Sequence, residues 1–384
     1  MIRLVSDVSG VLYRRAFKPL LFKQHPDRVH ANLLRVGGHV QRVPALISLM
    51  SVCWNYRNKA RLSQTIGGTL FENPVGLAAG FDKNIELLHI LESVGFGFIT
   101  GGSVTHKPTA GNPRPWFHRL PKSKSLVVHV GLANKGAEQI RQRIRQYSTR
   151  KGAARPLVVS VAKTNDKTTR TDSAAVADYV NGLKTLRQEK AITIFEINIS
   201  CPNAFGGEPF TTPERLNTLL SAVDALSLKQ PVWIKMPINL PWKELDALLQ
   251  IITKHTVEAV TIGNLQKQRI NTQLKDPLPK TVQGSLSGLP TQELSDKLIA
   301  QTYSAYGDKL MIIGVGGIFS AEDAYRKICL GASLVELITG IIFEGPQLIG
   351  QINVGLVQLL EKDGFRNISE AVGSKNHQKD PSRK

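Results

Sequence analysis

Met311-Ile-Ile-Gly-Val-Gly-Gly-Ile318 runs apolar through Val315 and then stops on two adjacent glycines. Leu334-Val-Glu-Leu-Ile-Thr-Gly340 repeats the form and ends on Thr339-Gly340. A short, mostly apolar run of this kind reads as a strand buried on both faces, as in a parallel sheet. Glycines at its carboxyl end leave backbone N–H groups bare and admit a close approach, which suits a phosphate.

The same form recurs upstream. Val75–Ala79, Gly97–Gly101, Leu157–Ala162, Ile194–Ile199, Val232–Met236 and Glu258–Gly263 complete a set of eight candidate strands with Met311–Val315 and Leu334–Ile338. Helix starts follow several of them: Thr212 before Pro213-Glu214, and Ser320 three residues before Asp323. A doubly wound sheet also alternates strand and helix. The count of eight favours an α/β (β/α)8 TIM barrel, and so does the placing of the unusual residues. Gly76–Asn84, Thr100–Thr105, Asn198–Asn203, Lys235, Asn264, Gly316-Gly317 and Thr339-Gly340 all lie at or just past a strand's carboxyl end. In a barrel those ends form one mouth, where active sites are built. The expected organisation is an N-terminal helical extension over 1–70, the barrel over 71–365, and a C-terminal end over 366–384 whose polar tail, from Gly373, is expected to be disordered.

The chain has 384 residues, 42% of them hydrophobic and 21% charged, which is a globular composition with a substantial core. Its three cysteines, Cys53, Cys201 and Cys329, have no CxxC spacing, so a disulfide scaffold and a zinc ribbon are excluded and no metal site is read. The longest apolar stretch near the start, Val43 to Trp54, is about half the ~20 residues of a membrane span.

The net charge of +19 is concentrated in two segments. Residues 1–61 carry +9 and residues 107–155 carry +11. The first segment reads as two amphipathic helices, with Leu12, Ala16, Leu20 and Leu21 on one face, Arg14, Arg15 and Lys18 around it, and a break at Gly37-Gly38. Apolar faces bordered by cations suit an anionic lipid surface. A basic extension packed on the barrel with solvated charges is the alternative. Nucleic acid is not expected, because aromatics suited to base stacking are few. In the second segment Ala137, Ile140, Ile144 and Tyr147 recur at helical spacing, with arginines on the opposite, solvated face.

Within the mouth, the loops after the seventh and eighth strands are where a barrel holds phosphate, so a phosphate-bearing cofactor is inferred. Lys235 sits in an apolar strand, a costly place for a cation without an anionic partner. One partner that fits is the N1/O2 edge of a reduced flavin. Lys83 also points inward, although Asp82 and Glu86 offer it ordinary ion pairs. Cys201 follows Asn198 and precedes Asn203, with Pro202 stiffening the turn. A thiol's reference pKa near 8.5 is far closer to neutrality than that of a hydroxyl. Beside cations it would serve as a general base, although a lone cysteine is also ordinary inert filler.

Gly76-Leu-Ala-Ala-Gly-Phe-Asp-Lys-Asn84, Asn198-Ile-Ser-Cys-Pro-Asn203, Leu286-Ser-Gly-Leu-Pro290 and Ile313-Gly-Val-Gly-Gly-Ile318 together resemble dihydroorotate dehydrogenases. Tyr13–Asn32 resembles the opening of the membrane-associated, quinone-using class 2 of that family. The resemblance runs from about residue 11 to 360. It implies an FMN-containing barrel that oxidises dihydroorotate to orotate in pyrimidine synthesis, with a base at C5, hydride transfer from C6 to the flavin, and quinone as final acceptor. By residue-wise resemblance, Ala79, Gly80, Ser103, Ser160, Asn198, Lys235, Gly263, Gly288, Gly317 and Thr339 match cofactor positions. Lys83, Asn198, Asn203 and Asn264 match substrate positions, and Cys201 falls at the base. The resemblance also implies a monomer. No Arg-rich, acid-free leader precedes the helices, and Asp7 comes early. A bacterial source is therefore expected, with the protein peripheral on the cytoplasmic face of the inner membrane.

Several residues depart from the family pattern. A cysteine base is the habit of class 1, whereas class 2 carries serine. Val128-His-Val-Gly-Leu132, in the stretch Ser125–Gly136 read as a loop, stands where the family has Asn-x-Met-Gly-(Phe/Leu), so an amide that holds orotate is missing. Leu265 replaces a Thr or Ser, Ser160 a cofactor-binding Asn, and Ile338 a Tyr. Each hydrogen bond lost from a buried polar edge costs about 1–3 kcal/mol, unless His129 or Asn134 substitutes. Two other functions therefore stand beside the first. One is an FMN oxidoreductase of the same fold acting on another dihydropyrimidine-like ring. The other is a non-catalytic flavin-binding homologue.

Overall fold

The computed structural model describes residues 2–148, 155–204, 207–208, 210–269 and 274–376. Its strands, in chain order, are β1 Gln64–Ile66, β2 Thr69–Phe71, β3 Val75–Leu77, β4 Phe98–Val104, β5 Phe117–Leu120, β6 Ser125–Val128, β7 Leu157–Val161, β8 Ile192–Asn198, β9 Val232–Met236, β10 Ala259–Ile262, β11 Ser285–Leu286, β12 Met311–Val315 and β13 Leu334–Leu337. Eight of these close a parallel barrel in the order β10-β12-β13-β3-β4-β7-β8-β9. They are the eight strands expected from the sequence, with ends displaced by at most three residues.

Inward side chains fill the barrel in layers. The lower ones are apolar: Phe98, Ile194, Ala259 and Leu334, then Val158, Trp233 and Ile313. The hairpin β1–β2, counted with the extension in the sequence, belongs physically to this floor. Phe71 packs against Phe98 and Trp233 with ring centroids 5.5 and 6.3 Å away. Outside the barrel, helices cover the strands. Ala137–Ser148 buries Ala137, Ile140 and Ile144 as its spacing implied. Its arginines are paired and not merely solvated: Arg141 and Arg145 reach Glu189, and Arg143 reaches Glu86. Ser320 caps its helix by accepting from the Asp323 N–H, whereas Thr212 stands at the cap position without a capping bond.

The extension, where the sequence suggested two helices, has three longer helical stretches and the short turn of helix Lys59–Leu62. α1 (Ile2–Leu12) continues through a π turn, Tyr13–Phe17, into the short α2 (Lys18–Phe22); α3 (Pro26–Val40) and α4 (Pro44–Trp54) follow. Gly37-Gly38 does not break α3. A Cβ at Gly37 would lie 2.8 Å from Leu87 Cδ2, so the glycine serves close helix packing instead. The face carrying Leu12, Ala16 and Leu20 points outward, with Leu12 52% and Leu20 61% exposed. Leu4, Val8, Val36, Leu49 and Val52 are similarly bare. No helix among the described residues is long and apolar enough to cross a membrane.

At the other end of the chain, the tail's first residues are ordered. Gly373 and Lys375 donate backbone N–H groups to Ile328 and Cys329, and the buried Asn376 amide donates to the Ala300 and Leu330 carbonyls. The remainder of that tail, 377–384, lies outside the described residues.

Candidate functional site

A cavity of about 200 Å³ opens at the carboxyl ends of the barrel strands. Ala79, Gly80, Ser103, Asn198, Lys235, Gly263, Gly288, Gly317, Thr339, Lys83, Cys201, Asn203 and Asn264 all line it. Ser160 is the exception among the residues singled out from sequence. It lies just behind the wall, fully buried, with its hydroxyl 2.9 Å from that of Ser103. Ser103 in turn accepts from Asn198 Nδ2 at 2.8 Å.

The end floored by β12 and β13 is made of bare backbone. Gly316 and Gly317 have φ of +117° and +68°, and Gly288, from the loop after β11, has +76°. These are left-handed values that a side chain would strain. At Gly80 (φ +115°) a Cβ would meet nothing nearer than Ile338 Cδ1 at 3.7 Å and would take up cavity space. Lys235 faces this end from β9, only 4% exposed, and no ion pair within 4 Å among the described residues engages it. A glycine cradle beside an unpaired ammonium fits an anionic, phosphate-bearing cofactor.

The opposite end is roofed by a small antiparallel sheet, β11-β6-β5, that the sequence did not reveal. Ser125–Val128, expected as loop, is its central strand. Val128, Val130, Leu132 and Leu265 line the cavity here. His129 lies outside it, beside Asn112 in a neighbouring solvent-facing groove. Asn134 is spent on Thr105, Leu132 and Gly136. Neither residue supplies the amide missing at Val128. Asn203 donates to the Val128 carbonyl at 2.9 Å. Asn264 donates to Ser200 and accepts from the Leu265 N–H, so Asn203 is tied to the roof strand β6 and Asn264 to the loop after β8.

Lys83 does not form the ion pairs that Asp82 and Glu86 offered. Asp82 is buried and accepts the backbone N–H groups of Glu86 and Leu87, while Glu86 pairs with Arg143 at 2.9 Å. Burial pushes the Asp82 carboxyl up to about 6 in spite of those bonds. Lys83 Nζ instead lies 3.3 Å from His30 Nε2 and 5.5 Å from the Phe117 ring centre. Desolvation lowers the lysine to about 8, against the pull of Asp82 and Asp27. Burial, with Lys83 and Arg114 adding to it, lowers His30 to about 3 and leaves a neutral ring at physiological pH.

His30 was not singled out from the sequence. It stands one turn after Asp27, whose buried carboxylate accepts the backbone N–H groups of Trp116 and Phe117. That clasp docks α3 onto β5 and swings His30 over the mouth, between Phe81 and Phe117. The i, i+3 spacing of Asp27 and His30 was visible, but their common partner was not.

Cys201 is not beside enough positive charge to act as a resting thiolate. Burial pushes its thiol up to about 11, with Glu208 adding to the rise and Lys163 opposing it. Lys163, buried just past β7, is a second residue that the sequence reading passed over.

The closed barrel, the glycine cradle and the inward Lys235 ammonium define a barrel enzyme with a cofactor cavity at its mouth. Residues 61–360 match the family model for dihydroorotate dehydrogenase. The chain belongs to the dihydroorotate dehydrogenase family. Relatives named dihydroorotate dehydrogenase (quinone) include one from Acaryochloris marina, 33% identical with 95% of this chain and 100% of that one covered. Another, from Rippkaea orientalis, is 35% identical with 94% and 98% covered. A crystal structure of ligand-free dihydroorotate dehydrogenase from Eimeria tenella superposes with a TM-score of 0.77 at 27% identity, covering 86% of this chain and 97% of that one. A ferulenol complex of the enzyme from the same organism gives 0.76 at 26% identity, covering 87% and 94%.

Proposed function

We propose that the protein oxidises dihydroorotate to orotate and passes the electrons to a membrane quinone. The observation that carries this reading is the convergence of cradle, ammonium, thiol and asparagines on a single cavity in a member of this family. FMN, when bound, supplies the hydride-accepting chemistry and its reoxidation by quinone.

The chain's own residues then divide the work. Gly288, Gly317 and Thr339 hold the phosphate, and Lys235 offers its ammonium to the ring edge where charge collects on reduction. Ala79, Gly80, Ser103, Asn198 and Gly263 complete the wall, with Ser160 fixing Ser103 from behind. Cys201 takes the proton from C5 as general base. Lys83 meets the substrate carboxylate, and Asn198, Asn203 and Asn264 bound the ring. His30, Phe81, Phe117 and Ile342 make the opening toward the N-terminal helices apolar, which suits a quinone. The exposed apolar face and the +9 charge of the extension support peripheral attachment to an anionic membrane, on the cytoplasmic side of a bacterial inner membrane. The chain acts as a monomer in this reading.

The test is an anaerobic absorbance titration of the FMN-loaded protein with dihydroorotate, followed by a short-chain quinone. Stoichiometric bleaching and then recovery is expected. A flavin that stays yellow with dihydroorotate overturns the reading. Bleaching by dihydrouracil in its place supports a second reading, favoured by Val128, Val130 and Leu265 on the substrate side: oxidation of a reduced pyrimidine without the carboxylate.

A further inference from the structure

Above the apolar floor of the barrel lies a polar layer of four buried side chains: Thr100 on β4, Glu196 on β8, Thr261 on β10 and Glu336 on β13. These are alternate strands of the closed sheet, so the two glutamates stand on opposite walls and approach one another across the axis. Each takes one hydroxyl. Thr100 donates to Glu336 Oε1, and Thr261 donates to Glu196 Oε2 at 2.8 Å. The remaining oxygens, Glu196 Oε1 and Glu336 Oε2, are buried and accept nothing from the described residues.

Branched apolar side chains ordinarily fill such a layer. Two bare carboxylates there are costly, and two like charges sharing a site cannot both ionise freely. A single proton held by the pair removes one of the two charges. Among the described residues the only cation facing the pair is Lys235, which lies in register with Thr261 on one side and Asn198 on the other. From β3, β7 and β12 the neighbours are Gly76, Val158, Ser160, Ile313 and Val315, none of them titratable in this range. One proton on the pair therefore leaves a single negative charge under a single positive one.

We propose that Glu196 and Glu336 share one proton and act as a positioning pair for Lys235, holding its ammonium within the barrel and setting the charge that a bound cofactor meets. The cofactor half rests on the flavin reading given above; the shared proton does not. Burial and the neighbouring Glu196 charge raise Glu336 from an ordinary 4.5 to about 8, with Lys235 opposing. The folded protein thus keeps a proton that the unfolded chain releases. Stability from this group falls as pH rises from about 4.5 to about 8 and is level above that.

Three measurements on the FMN-loaded full chain test the pair. Infrared titration should show a protonated-carboxyl C=O band at neutral pH that disappears above about pH 8 and is absent from Glu336→Gln. The Tm of Glu336→Gln should exceed that of the wild type at pH 8 and fall less steeply between those limits. The midpoint potential of the flavin falls with pH in both proteins, because reduction takes up protons, and the wild type should show a further change of slope through the same window that the variant lacks. If Glu336→Gln fails to fold, Glu196→Gln serves, and its band should titrate at lower pH because the second carboxylate is gone. A wild-type protein without the band, or a variant with unchanged band and Tm slope, overturns the pair. A band that titrates in a protein unable to bind FMN keeps the pair and removes the cofactor reading.

Discussion

At the Gly316-Gly317 end of the cavity the main chain is bare, and no ion pair within 4 Å among the described residues engages the inward Lys235. At the Val128 end the walls are aliphatic and the asparagines are already bonded to neighbouring backbone, Asn203 to Val128 and Asn264 to Ser200. The first end waits for an anion; the second presents shape and a thiol. A cofactor with fixed phosphate and ring needs fixed donors. A substrate held by a few contacts is sensitive to each one, and Val128 stands where the resemblance implies an asparagine. Retention of the family's cofactor end therefore says less about the substrate than the family name implies.

The sharpest way to break this contrast is at the thiol. Cys201→Ala should cut the rate of flavin reduction by dihydroorotate by about 10²–10⁴ while FMN content is unchanged. Turnover above a tenth of the wild type would remove Cys201 from the base role. The thiol also sets a pH dependence. Because burial raises it to about 11 and the thiolate is the active form, flavin reduction should climb with pH, about tenfold per unit, without levelling between pH 7 and 10. A stopped-flow profile that levels near pH 8 would show that another group titrates, or that substrate lowers the thiol.

Val128→Asn sharpens the substrate end. Restoring a hydrogen bond worth about 1 kcal/mol or more should lower the KM for dihydroorotate roughly fivefold or more with little change in kcat. An unchanged KM would show that the substrate does not reach this wall. The smallest effect is expected outside the cavity altogether. Leu20→Asp or Leu49→Asp should shift stability by no more than about 0.5 kcal/mol, since neither side chain is packed. Either should weaken sedimentation with anionic vesicles. Unaltered vesicle binding by both would argue against the helices as the attachment surface.

The sequence exposed these regions unevenly. Strands that are apolar on both faces and end in glycine announce a barrel, and Lys235, Cys201 and Asn198 stand out because they interrupt such runs. The polar layer was hidden for the same reason. In Ile194–Asn198 and Leu334–Leu337 an acidic residue among apolar ones does not say whether it faces in or out until the barrel closes, and its partner lies far along the chain. His30 and the β11-β6-β5 roof escaped because each depends on contacts between distant segments. Gly37-Gly38 misled because glycine marks a helix break and a close helix contact alike.

Asp27 has a wider consequence. Its carboxylate accepts two main-chain N–H groups and pairs with Arg114 at 3.6 Å, so its grip does not depend on the side chains of β5. Val128 pairs with Phe117 in the same roof. The helices that offer an oily face to the surroundings and the wall that borders the water-soluble substrate therefore form one lever with its fulcrum at Asp27. If the helices seat on lipid as proposed, a tilt imposed there would be carried to the Val128 wall of the cavity.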